Sequence, residues 1–135
     1  MTQQQISYLA QLHEGQWFGF NGEQTYENLW VKDGYNKPTL KEIEDGVPQL
    51  EIEQWRNSFK VPTYKLEIEL EERGLMETVQ TIIDQSPKPV RIGWNKSPTV
   101  RRMSPTVLGL ASHPDIALTA EQLDDIFKSA EQREL

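Results

Sequence analysis

The sequence predicts an α+β fold: a small N-terminal antiparallel β-meander followed by a mostly α-helical C-terminal domain. Three observations carry this. Aromatic and β-prone residues concentrate in 15–37, punctuated by Asn21-Gly22 and Asp33-Gly34. From Pro38 onward, helix-capping signals precede apolar residues at helical spacing. Leu, Ile, Val and Phe make up 33 of 135 residues. That is above the roughly 20% level below which disorder is the default, so a modest core is affordable.

Each element follows in order. Residues 1–14 are polar, and Ile6, Leu9 and Leu12 at spacing three allow a short terminal helix. Strands are expected near 16–20 and 24–31, with a stub at 35–36 and a two-residue hairpin turn at Asn21-Gly22. Alternation puts Trp17 and Gly19 on one face and Phe18 and Phe20 on the other. Both faces thus carry aromatics; helices of this chain can cover one, leaving the other for a partner. Thr39 and Glu42 have capping-box spacing, and that helix is expected to end near Asp45-Gly46. Pro48 then opens a second helix over 48–59, which Pro62 stops. The domains are therefore 1–61 and 62–135.

In 63–73, Leu66, Ile68 and Leu70 alternate with Glu67, Glu69 and Glu71, a strand period. Lys, Leu and Glu favour helix, so a helix ending at Gly74 is preferred, its glutamates a solvated face. Leu75, Val79, Ile82 and Ile83 mark a helix over 75–85. Ser97-Pro-Thr-Val100 recurs as Ser104-Pro-Thr-Val107. Each pairs a Ser N-cap with Pro at the first helical position, predicting short helices from 97 and from 104 to about Ala111. Thr119 and Gln122 form a capping box ahead of the stripe Leu123, Ile126, Phe127 and Ala130.

Composition narrows function. Net charge is −7, from 14 basic and 21 acidic residues, which argues against general nucleic-acid binding. There is no Cys, hence no disulfide, thiolate metal site or cysteine nucleophile. No apolar run is long enough for a membrane span, and 1–20 lack the basic and apolar regions of a signal peptide. His13 and His113 have no companion carboxylate at ligand spacing. No catalytic set, metal site or cofactor motif can be assembled, so the expectation is a non-enzymatic protein. Segment 86–103 is the local exception, with five basic residues and no acid. These are expected to pair with the acidic helix near 63–77 or with a partner, although Trp94 could stack on a base.

Two stretches carry a resemblance. One runs through Trp94, Pro98, Val100, Arg102, Ser104-Pro105 and Val107 to Leu118-Thr119-Ala-Glu-Gln122-Leu123-Asp124-Asp125-Ile126-Phe127, preceded by Glu72-Arg-Gly74-Leu75-Met-Glu-Thr-Val79. It resembles the C-terminal half of small phage and prophage tail-region proteins encoded beside the tail fibre. The other, Leu29-Trp30 with Lys37-Pro-Thr39-Leu-Lys-Glu42-Ile43, is similar to a segment of tail-fibre assembly proteins. The resemblance covers about residues 60–125. It implies a tail-fibre chaperone or adaptor, working in the host cytoplasm during assembly, with retention in the virion tail left open.

The aromatic cluster of 17–35 reads as the core of the small sheet, as a protein-binding face or as a sugar-stacking platform; Trp17, Phe18, Phe20, Tyr26 and Trp30 are the candidate partner-binding residues, because Trp and Tyr dominate protein contact sites. Trp94, Arg102, Leu123 and Phe127 are candidates for organising the helical domain. A carbohydrate-binding module in host recognition and a small nucleic-acid-binding regulator are the alternatives. Oligomeric state is not legible.

Overall fold

Helix α1, Gln3–Leu12, opens the chain, and the computed structural model describes residues 1–134. A capping box starts α1: the Thr2 hydroxyl accepts from the Gln5 N–H, and the Gln5 side chain accepts from the Thr2 N–H. Strands β1, Phe18–Phe20, and β2, Leu29–Val31, pair antiparallel with Phe18 opposite Val31 and Phe20 opposite Leu29. The expected meander is thus one short ribbon. Asn21-Gly22 does not make a two-residue hairpin; the connection runs from 21 to 28, closed by the Asn21 N–H on the Asn28 carbonyl. The stub at 35–36 forms no strand.

Helix α2 runs unbroken through Leu40–Ser58, where two helices were expected. Its start is as predicted, with the Thr39 hydroxyl accepting the Glu42 N–H at 3.1 Å. Pro48 removes one intrahelical donor, yet buried Ile43 and Leu50 hold the helix on either side of it. Gly46 serves packing rather than termination. A Cβ there would stand 2.2 Å from the Tyr8 ring. Gly46→Ala therefore gains about 1 kcal/mol of helix propensity. It must then displace Tyr8, at an overpacking cost of about 1–3 kcal/mol. A net loss in urea unfolding is expected; a more stable variant would mean that Tyr8 swings aside freely.

The chain divides into two compact units, Met1–Gln54 and Trp55 onward, so the boundary lies inside α2 rather than at 61/62. In the first unit Leu9, Trp17, Leu29 and Ile43 form the core.

The second unit begins with Trp55, Arg56 and Phe59. Strand β3, Lys60–Pro62, pairs antiparallel with β4, Thr99–Arg101, a ladder that was not predicted. Pro62 faces Thr99 at a position that needs no ladder donor, which is where proline fits. Helix α3, Thr63–Glu72, closes with a Schellman motif. Gly74 takes φ +74°, the Leu75 N–H reaches the Leu70 carbonyl and the Gly74 N–H reaches that of Glu71.

Helices α4, Met76–Asp84, and α5, Lys88–Lys96, follow. The helix expected from Ser97 is absent, because Ser97 ends α5 and Thr99-Val100 enter β4. Tertiary bonds decide this. The Thr63 hydroxyl donates to the Ser97 carbonyl at 2.6 Å, and the Thr63 N–H to that of Pro98 at 3.0 Å. The second copy does open a helix, α6, Pro105–Ser112, although the Ser104 hydroxyl makes no capping bond.

Helix α7, Ala120–Glu131, forms with the predicted Thr119/Gln122 capping box intact. It packs on α3, and Val61, Leu70, Ile83, Trp94 and Phe127 lie in the core that results. Among the described residues, seven helices and four three-residue strands give an α+β fold. No helix among them is long and apolar enough to cross a membrane.

Candidate partner-binding surface

The ladder of the N-terminal ribbon sorts its side chains. Phe18, Phe20, Leu29 and Val31 share one face and pack with Leu9 and Ile43. Gly19 and Trp30, paired opposite each other, lie on the other face. Gly19 is what lets the Trp30 indole lie across the strand: a Cβ at Gly19 would meet Trp30 Cζ2 at 2.5 Å. Trp30 remains 40% exposed in that position.

The structure therefore corrects the five-residue contact face. Trp17 is 1% exposed, its Nε1 donates to the Leu9 carbonyl at 3.0 Å, and His13 and Tyr35 pack edge-on and tilted against its ring. A group so enclosed is core, not contact surface. Phe18 and Phe20 are half-buried on the inner face. Tyr26 is half-buried too, with its hydroxyl donating to the Pro38 carbonyl at 2.8 Å and Lys37 Nζ over its ring. Trp30 alone among the five is exposed, and Tyr35 is the next exposed ring of this unit.

The residues proposed to organise the helical domain are all buried in the second unit. Arg102 is 2% exposed and donates through Nε to Asp124 Oδ1 at 2.8 Å. Arg56 approaches the same carboxylate through Nε and Nη2, at 3.1 and 2.7 Å. One buried carboxylate thus holds two guanidiniums, tying the end of α2 and the residue after β4 to α7. Burial pushes the Asp124 carboxyl up, but the bonds from Arg56 and Arg102 outweigh it and hold the group below its ordinary value. Sequence reasoning gave Asp124 no role in organising the domain. The signal for its burial, an Arg on a distant segment, is not local.

The glutamate run is not a uniformly solvated face. Glu69 is 5% exposed and lies between Arg73 and Arg133, at 2.8 and 2.6 Å. Arg133 also binds Glu72, which lowers the Glu72 carboxyl below its usual range and raises the Arg133 guanidinium. Arg73 and Arg133, and not segment 86–103, pair with Glu69 and Glu72 of the acidic helix. Trp94, buried at 6% exposure, is not available to stack on a base; its Nε1 has no hydrogen-bond partner among the described residues. Comparison of the chain with known protein families, with curated proteins and with solved structures gives no match.

Proposed function

We propose that this chain is a non-enzymatic phage tail accessory protein that binds the tail fibre as an assembly chaperone or adaptor. The observation that supports the reading is Trp30, a large ring held exposed across Gly19 on a ribbon whose other face is packed. A tryptophan in that position is an interface anchor that the fold has no internal use for. The sequence strings that resemble fibre-adjacent proteins supply the partner. A fibre that closes slowly exposes strand edges and apolar surface, and an accessory protein that covers them suppresses aggregation. The place of action in this reading is the host cytoplasm during assembly.

The test is co-expression with the neighbouring tail-fibre gene, followed by size exclusion of the soluble fraction. Co-elution, or fibre that is soluble only with this protein, is the expected result. Trp30→Ala should weaken the complex by about 30-fold or more, the effect of losing an anchor worth at least about 2 kcal/mol. Its far-UV circular dichroism should stay that of the native chain. A fibre that is soluble alone and elutes separately overturns the reading.

A further inference from the structure

The segment left over by this account is the basic one. Arg102 is buried on Asp124. Lys88, Arg91, Lys96 and Arg101 are exposed and make no ion pair or side-chain hydrogen bond among the described residues. In a chain of net charge −7, these are four cations within fourteen residues of sequence, and one of them, Arg101, lines a groove. Beside them α5, β4 and the start of α6 enclose a groove of about 480 Å³, lined by Gly93, Ser97, Thr99, Arg101, Ser104 and Thr106 among others. Lys96 adjoins Ser97 at its edge.

The backbone of β4 adds direction to the charge. The Arg102 N–H bonds the Phe59 carbonyl and the Thr63 N–H bonds the Pro98 carbonyl. Residues 98, 100 and 102 therefore face β3, and the N–H and C=O of Thr99 and Arg101 point to the open edge. Both of those carbonyls are already taken, that of Thr99 by the Ser97 hydroxyl at 2.7 Å and that of Arg101 by the Ser104 N–H at 3.1 Å. Each carbonyl on the open edge thus already holds one donor from the chain itself, so the edge is richer in donors than in open acceptors. A neutral strand, which must both give and receive, is poorly matched to it, whereas a carboxylate needs only donors.

We infer that this groove docks an acidic, Asp/Glu-rich segment of a partner protein, with Arg101 and Lys96 and the β4 edge amides holding its carboxylates. Nucleic acid fits less well. The ring nearest the groove, Trp94, is buried, so no base can stack there. A polyphosphate chain also extends beyond four cations into the field of the whole acidic molecule, where a short acidic segment does not. The inference stands apart from the fibre reading, which rests on Trp30.

The experiment titrates the isotope-labelled full chain with a short Glu-rich Gly/Ser peptide and follows its amide resonances. The expected result is shifts concentrated at Ser97, Thr99, Arg101 and Thr106, absent with the same peptide carrying Gln for Glu. Binding should weaken at least about tenfold in Lys96→Gln/Arg101→Gln, as loss of two charge-assisted contacts implies. It should also weaken as salt shortens the Debye length. Both substituted residues are exposed, and an unchanged spectrum elsewhere verifies the fold. No shifts, shifts away from the groove, or equal binding by the Gln peptide would overturn the proposal. So would tighter binding of an oligothymidylate at the same amides. Salt-sensitive self-association that the double substitution abolishes would assign the groove to a second copy and equally overturn it.

Discussion

Asp124→Ala should cost the C-terminal unit about 3–5 kcal/mol, the usual penalty for removing one partner of a buried ion pair. The reason is what stays behind. Arg102 is 2% exposed, so its charge would remain enclosed with, among the described residues, the Ala120 carbonyl, at 3.3 Å from Nη2, and the Met103 sulfur to receive it. Arg56 would lose the same acceptor. Whole domains are stable by only about 5–15 kcal/mol, so this is a large share. For a unit of this size a drop in Tm of at least about 12 °C is expected. Arg102→Met should do less harm, because Asp124 keeps Arg56 and no unpaired charge is created. A loss below about 1 kcal/mol in Asp124→Ala would show that Arg102 reaches water once released. The pH dependence has a fixed sign. The folded Asp124 carboxyl titrates below its unfolded value of about 3.9. Its contribution is therefore whole above that value and is lost as pH falls through the folded one. Urea stability that stays level down to about pH 5 and then falls, more steeply in the native chain than in Asp124→Ala, is the matching observation.

Trp17→Ala should unfold the N-terminal unit while the C-terminal helices persist. Truncating a fully buried aromatic costs about 3–5 kcal/mol. Here the loss also orphans the Leu9 carbonyl and strips the support from His13 and Tyr35. The core that would absorb it is small, with Leu9, Leu29 and Ile43 as its other buried members. Loss of the amide resonances of residues 1–43 from their native positions, with those of α3 and α7 unmoved, is the expected spectrum. A native spectrum with weakened partner binding would instead make Trp17 a contact residue. Under the proposed function, Trp17→Ala and Trp30→Ala therefore separate packing from recognition.

How much of this was legible depends on how local the deciding interaction is. Helix α7 reads directly from Thr119, Gln122 and the stripe from Leu123 to Ala130, because capping and periodicity lie within the helix itself. The α3–α4 junction reads from Gly74 for the same reason. The two Ser-Pro-Thr-Val copies mark the limit. Identical tetrapeptides become the end of a helix leading into a strand and the start of a helix, since Thr63 and Val61 bind only the first. Alternation sorted Phe18 and Phe20 from Gly19 correctly, but Trp17 packs against His13 and Tyr35, which lie outside the ribbon although Tyr35 was expected in a strand stub. Gly46 reads as a helix stop in sequence and is a seat for Tyr8 in the fold. At the candidate site the sequence nominated aromatic chemistry; which ring faces outward was settled by the strand register.

The span of the closing contacts has a consequence for synthesis. Every buried apolar residue of the first unit lies within residues 1–50, so the N-terminal ribbon and its helices can consolidate while the ribosome still holds the later chain. The second unit has no such freedom. Its β3 strand waits for Thr99–Arg101, Arg56 waits for Asp124, and Glu69 waits for Arg133. During that interval Val61, Leu66 and Leu70 have emerged without their cover. Translation thus delivers a finished half carrying Trp30 before the other half can close, and a nascent partner synthesised nearby would meet that half first.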